Sequence, residues 1–328
     1  MWSYGFCRSS WFRRLKFETS IMAFDSIIPD GFPQLYSDEW RLELQQLQSR
    51  LTPFVNIDTV QGEGKRYQRL PKVEARQITE RFGDTNPDDI AAEYRWLYVN
   101  FKDSAHIIDR REALQLGSVG SPHASLLRLQ AAAAARDMDK TLIDGIIGDV
   151  QSGKTGATPI ALPNEQQIGV AYVDSGSGSN SGLTFSKLLE VSTRFGISQV
   201  FGQDVENQAQ GCVIISHRQV KDLLLEEKLT SADFGLRRLM DGQVVSAFGL
   251  AIKAVDPDLL PYNSGTDVRT CVAFARECVA FGVAENATAF VDELPTKRHD
   301  VQLRTEWGWG ATRLDDEGVI TILCDESP

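Results

Sequence analysis

The sequence is poor in the residues that build chemical centres. It holds 5 cysteines and 4 histidines in 328 residues. Cys7, Cys212, Cys271, Cys278 and Cys324 contain no C-x-x-C pair, and His106, His123, His217 and His299 stand apart from them and from one another. Metal-ligand spacing and a disulfide framework are therefore both missing, and scattered thiols of this kind fit small buried hydrophobes of a chain made in a reducing cytoplasm. No apolar run approaches the roughly 18 residues of a membrane span. Basic surplus is lacking too. The 34 Lys plus Arg against 45 Asp plus Glu leave a formal charge of -11, a surface that repels phosphate and argues against sequence-independent nucleic-acid binding. Residues 1–21 carry Arg8, Arg13, Arg14 and Lys16 where a signal peptide needs an apolar stretch. Met22 opens a more ordinary beginning, so residues 1–21 are expected to be an upstream extension.

What is present reads as a mixed α and β chain. Ser37 can cap a helix with Asp38 and Glu39 in its first turn, and Trp40, Leu44, Leu47 and Leu51 follow at helical spacing up to Pro53. Residues 64–82 then carry Lys65, Arg66, Arg69, Lys72, Arg76 and Arg81, whereas 83–93 carry Asp84, Asp88, Asp89 and Glu93. Tyr94 to Phe101 is rich in aromatic residues and reads as a strand returning against the basic segment. The result is a long hairpin with a basic arm and an acidic tip, which has little core of its own and suits oppositely charged neighbours.

Ser121-Pro122 opens a long helix that runs through five consecutive alanines to Gly148, roughly 39 Å at 1.5 Å per residue. It reads as a structural spine. A strand is expected at Ile168–Val173, a flexible Ser/Gly connector and subdomain boundary at 175–182, a helix over Leu183–Phe195 and a buried strand at Cys212–Ile215. Ser216-His217-Arg218-Gln219 is a capping box opening another helix. Val301–Arg313 and Val319–Leu323, either side of Asp315-Asp316-Glu317-Gly318, read as a terminal β-hairpin.

Several motifs imitate chemistry. Gly148-Asp-Val-Gln-Ser-Gly153-Lys154-Thr155 matches G-x-x-x-x-G-K-[ST] letter for letter. A phosphate loop needs a strand before it and a helix after it, so that helix amides meet the phosphates. Here a helix precedes, and Gly156, Pro159 and Pro163 forbid one following. An ATPase using Lys154 is thus the weaker reading. Gly176 to Gly182 is one residue too long for a dinucleotide fingerprint. Ser216 beside His217 is a cap rather than a nucleophile with its base, and Asp233-Phe234-Gly235 lacks the other kinase signatures. Asn286-Ala287-Thr288 is a glycosylation triplet without meaning in a reducing cytoplasm. No catalytic, cofactor or metal residue is expected.

Ala135-Arg136-Asp137-Met138-Asp139 and Leu142 to Gly148, followed by Ser152-Gly153-Lys154-Thr155-Gly156, resemble one family of tailed-phage major capsid proteins. Cys212 to Ser216, Leu229 to Phe234, Leu239 to Gln243, Phe248 to Ile252, Val291 to Pro295, Val301 to Trp307 and Gly310 to Arg313 continue the likeness in order, over roughly residues 120–325. The resemblance implies an α+β fold of the Hong Kong 97 capsid type. It would have an N-terminal arm (22–60), an extended loop (61–112), a peripheral domain on the spine helix (113–174 and 266–328) and an axial domain (175–265). It also implies a virion shell subunit, made and assembled in the host cytoplasm, that forms hexamers and pentamers with itself. Expected partners are a scaffolding protein, a portal, a decoration protein and packaged DNA held only non-specifically, with no membrane. An encapsulating compartment shell is the related alternative. Intersubunit contacts are expected from Arg66, Arg69, Lys72, Arg76, Asp84, Asp88 and Asp89.

Overall fold

The structure, a computed structural model, describes residues 46–71, 73, 75, 77, 91–109, 123–174, 178–200, 211–225 and 246–327. Its longest helix, α1 (His123–Ile147), has 25 residues and stops at Gly148, as its unbroken alanine-rich run predicts. It lies against a four-stranded sheet with the order β1 (Asn56–Thr59), β13 (Val279–Leu294), β14 (Asp300–Arg313), β4 (Asn100–Ile108). Alternation along β14 sends Leu303, Thr305, Trp307 and Trp309 into the interface, where all are buried. At Gly145 helix and strand are close enough that a Cβ would lie 2.6 Å from the Ala311 carbonyl oxygen, so only glycine fits.

A seven-stranded sheet forms the second body. Its order is β7 (Gln167–Ile168), β15 (Val319–Asp325), β12 (Val268–Ala275), β8 (Gly211–Ser216), β10 (Leu250–Val255), β9 (Ser246–Ala247), with β11 (Tyr262–Asn263) also on β12. Every residue of β8 is buried, because it sits between parallel β10 and antiparallel β12. Helices α2 (Phe185–Ile197) and α3 (His217–Leu225) belong to this body. α2 is capped by the Thr184 side chain. The capping box of α3 forms as its letters predict: the Ser216 hydroxyl accepts from the Arg218 amide at 3.2 Å and the Gln219 side chain accepts from the Ser216 amide at 3.1 Å. Leu142, Ile143 and Ile146 of α1 share one continuous core with Val191 and Phe195 of α2 and with strands of both sheets.

The third sheet is small: β2 (Gly64–Arg69), β3 (Glu93–Tyr98), β5 (Val150–Ser152), β6 (Thr158–Ile160). β2 and β3 are antiparallel from Gly64↔Tyr98 to Arg69↔Glu93, which forms the root of the expected hairpin.

Five sequence expectations need correction. Residues 46–51 are not helical, although the amphipathic spacing continues to Leu51. The buried Asp139 carboxylate takes hydrogen bonds from the Gln46 and Ser49 side chains and the amides of Arg50 and Leu51, a tertiary claim that outweighs helix propensity. The strand read from Tyr94 to Phe101 is divided at Val99 between β3 and β4, which lie in different sheets. The strand expected at Ile168–Val173 stops at Ile168, where the chain turns through Gly169–Tyr172. Residues 178–182 of the connector are not a loose spacer: the Ser181 amide donates to Val170, and the Lys187 ammonium reaches the carbonyls of Ser181, Gly182 and Leu323 at 2.8, 2.8 and 2.9 Å. Finally, β14 and β15 are not a hairpin. β14 is already paired on both edges by β13 and β4, so the chain crosses at 314–318 and β15 pairs β12 and β7.

Candidate assembly surface

Several polar side chains of the interior are held in clamps that join separate elements. Asp137, on α1, accepts from both indole N–H groups of Trp307 and Trp309 at 3.0 Å and pairs with Lys102 at 2.6 Å, binding helix, β14 and β4 together. Gln130 does the same further along: its amide donates to the Leu303 and Ser104 carbonyls, and its oxygen accepts from Thr305. Arg313 is fully buried. Its guanidinium donates to the carbonyls of Ile146 and Gly148 and pairs with Asp316 at 2.5 Å, while Arg95 meets the other oxygen of Asp316 at 2.7 Å. These residues escaped sequence reasoning. The one available signal was the cluster of charged residues, Asp137 and Asp139 among them, that follows the alanine run of the helix.

Burial pushes the thiols of Cys212 and Cys278 up to about 12, and Cys271 is raised by its contact with Cys324 and by burial, so these cysteines stay protonated and unreactive. Burial lowers the Lys187 ammonium from its ordinary value, even though its three protons are used by the three carbonyls. All four described cysteines are buried and free.

The motif imitating a phosphate loop has a different role. α1 runs into it, so Gly148 meets a helix C-terminus, the negative end of the helix dipole. β5 and β6 then form a hairpin, with Gly153 and Gly156 at φ +89° and +69° and with Lys154 and Thr155 exposed at its turn. No helix follows to present amides. Instead, the Gly153 carbonyl accepts from the Trp96 indole at 2.7 Å, so the hairpin braces the root of the extended loop. Asp233-Phe234-Gly235 lies outside the described residues, as do Gly176 and Ser177. Among the described residues there is no cluster of His, Cys, Asp and Glu fit for a metal ion, and no helix long and apolar enough to cross a membrane.

That root is where the surface becomes distinctive. One face of β2–β3 carries Arg66, Tyr94, Trp96 and Tyr98. The Arg66 guanidinium lies 4.7 Å from the Tyr94 ring centre and 5.9 Å from that of Trp96, and Trp96 stacks on Tyr98 at 6.0 Å. Among the described residues Arg66 has no carboxylate partner, and its side chain is exposed. Arg and aromatic side chains displayed together are the composition of interface hot spots. Arg69 differs: it pairs with Asp315 at 3.2 Å within its own chain. On the opposite face, Lys65 and the Tyr67 hydroxyl converge on Asp58, holding its carboxyl below the usual range and pushing the Tyr67 phenol, itself part-buried, upward. Lys72, Arg76, Asp84, Asp88 and Asp89 lie outside the described residues.

A helix laid on a long sheet, a second sheet sharing its core, and the cationic and aromatic face of β2–β3 are the features that bear on function. The family model described as phage capsid protein matches residues 28–326. The chain belongs to that family and is a phage major capsid protein. Among solved structures, that of Mycobacterium phage Che8 is similar with TM-score 0.64 and 18% identity, over 92% of this chain and 98% of that one. The capsid of cyanophage P-SCSP1u is similar with TM-score 0.67 and 13% identity, over 91% and 94%. The acid-stable capsid of Helicobacter pylori bacteriophage KHP30 is similar with TM-score 0.65 and 9% identity, over 90% and 96%. The fold is thus the Hong Kong 97 capsid type expected from the resemblance. No curated protein matches.

Proposed function

We propose that copies of this chain assemble by themselves into the icosahedral head shell that encloses the phage DNA, and that the protein has no catalytic step. Its work is the sum of symmetric contacts, which in obligate assemblies bury on the order of 2,000 Å² or more. The observation that carries this reading is the family match over residues 28–326. The arm (22–60), extended loop (61–112), peripheral part (113–174, 266–328) and axial part (175–265) are the division proposed for it. β12 and β15 contribute to the same sheet as β8 and β10, so the last two parts interleave.

The extended loop is the proposed intersubunit contact, through Arg66, Arg69, Lys72 and Arg76 on its arm and Asp84, Asp88 and Asp89 at its tip. Arg66 supports this best, since its cation is held on aromatic rings with no carboxylate partner among the described residues. The chain's -11 charge suits a container that holds DNA without gripping it. A scaffolding protein, a portal and a decoration protein are the further partners proposed, and assembly in the host cytoplasm the setting. The test is electron microscopy of the purified chain beside the double variant Arg66→Glu, Arg76→Glu. Closed particles from the parent and folded, unassembled variant are expected. Normal particles from the variant refute the loop assignment, and a parent that stays monomeric at high concentration refutes the shell reading. Enzyme cargo inside the particles would mark an encapsulating compartment instead.

A further inference from the structure

Three arginines are buried among the described residues, and each lies in a different sheet: Arg95 on β3 of the small sheet, Arg313 on β14 of the long sheet and Arg269 on β12 of the seven-stranded sheet. All three take their carboxylate from residues 316–326. Arg95 and Arg313 share Asp316 at 2.7 and 2.5 Å, and Arg269 meets Glu326 at 2.5 Å. The Glu326 carboxylate is itself buried and also accepts from the Gln219 side chain of α3 at 2.8 Å. Asp315 adds a fourth pair, to Arg69 of β2 at 3.2 Å. Between these acids, Val319, Ile320 and Ile322 of β15 are fully buried, and the amides of Asp325 and Glu326 donate to the Ser181 and Asp267 carbonyls.

A guanidinium is buried only at heavy cost unless a carboxylate meets it. Asp316 is the one carboxylate paired with Arg95 among the described residues, so β3 cannot seat Arg95 on the body until Asp316 is in place. Apolar packing at the loop root is a poor substitute. Its buried cluster is only Val60, Leu97 and Ala280, and Leu314, next to Asp315, is one of the side chains packed on it.

We propose that residues 314–326 act as a strap that fastens the root of the extended loop to the body, and that the loop is held ready for neighbours only once this strap has closed. The proposal rests on the reading of the loop as an intersubunit contact, and it makes Asp316 and Glu326 positioning residues for that contact. β15 is also the last strand in chain order. About 200 residues separate the loop at 61–112 from Asp316, roughly 10–40 s of synthesis at 5–20 residues per second. Through that interval Arg95 has no carboxylate and the root stays unfastened, so growing chains do not present working loops to one another.

Hydrogen exchange of the full chain, read segment by segment, tests the strap. In Asp316→Asn the amides of β2–β3 should exchange about tenfold faster than in the parent, while α1 around Gln130 keeps its parent rate. Glu326→Gln alters no contact of the root, yet it should also speed β2–β3 by about threefold, because it loosens the other end of the strap. Particle yield should fall in both variants, further in Asp316→Asn. On refolding from denaturant, β2–β3 should gain protection together with β15 and later than α1. Unchanged β2–β3 exchange in either folded variant, or protection of β2–β3 before β15, overturns the strap. Faster exchange with full particle yield overturns its part in assembly. If Asp316→Asn does not fold, Asp315→Asn replaces it: the pair with Arg69 is about one-third exposed, and its loss should still speed β2–β3 about threefold. A parent chain that forms no particles refutes the shell reading alone, since exchange still decides the strap.

Discussion

The spine helix with its long sheet and the root of the extended loop are built from similar residues and arranged in opposite ways. Along α1 and β14, each polar side chain named above is spent inside the molecule: Asp137 on two indoles and a lysine, Gln130 on two carbonyls and a hydroxyl, Arg313 on two carbonyls and a carboxylate. At the loop root, Arg66 lies over aromatic rings with no carboxylate partner among the described residues, and β2 has no strand on its outer edge among them. Closed clamps hold the fold of the single chain, whereas the open root is the surface proposed above for contact with neighbours. The difference teaches that partner count, rather than residue type, separates the residues that hold this fold from those left available on its surface.

Substitutions can break that contrast at its strongest point first. Asp316→Ala strips the carboxylate from two arginines that are both nearly fully buried, and is expected to cost about 3–5 kcal/mol, read as a fall in the denaturation midpoint of the unassembled chain. Gly145→Ala forces a Cβ into the Ala311 backbone and is expected to cost about 1–3 kcal/mol, with weaker helix–strand protection in hydrogen exchange. Asp139→Ala removes the acceptor of four hydrogen bonds from residues 46–51. It is expected to cost about 2 kcal/mol and to make that stretch the first site of proteolytic cleavage while the rest stays resistant.

A pH titration sharpens the same comparison. Burial acts to raise the Glu326 carboxyl, but hydrogen bonds from Arg269 and Gln219 outweigh it and hold the group below its ordinary 4.5. The unfolded chain then takes up this proton at higher pH than the folded one. The stabilisation is complete above that ordinary value and is lost as pH falls through the folded value. Glu326→Gln should therefore be less stable than the parent at neutral pH, and the gap should narrow on acidification below about pH 4.5. The smallest effect is expected at the loop root. Arg66→Ala should change monomer stability by less than about 0.5 kcal/mol while lowering particle yield. A large loss of monomer stability there would erase the distinction between the two regions.

The elements that sequence revealed are those whose signals are local. α1 could be read because nothing interrupts it between His123 and Gly148, α3 because its capping box spans four adjacent residues, and β8 because a short apolar run is buried on both faces. Most of the misreadings involve distant partners, whereas the strand expected at Ile168–Val173 is cut short by a local turn at Gly169–Tyr172. Asp315-Asp316-Glu317-Gly318 correctly announces a reversal, but which sheet receives the next strand depends on β14 having both edges taken. The end of the expected helix at Leu51 was decided by Asp139, 88 positions away. Of the proposed contact residues, Arg66 and Arg69 look alike in sequence, and only the ion pair to Asp315 separates them. Lys154 illustrates the reverse case, a complete motif whose meaning is cancelled by the helix in front of it.

The crossing between β14 and β15 has a mechanical consequence. Residues 314–318 pass from the sheet under the spine helix into the other sheet, between β7 and β12, and Arg313 and Arg95 fasten this segment through a single carboxylate. Outward load on one half of the subunit is handed to the other along the backbone itself as well as through packed surfaces. Because both sheets share one continuous core with the spine helix, this crossing ties the two halves together rather than dividing them.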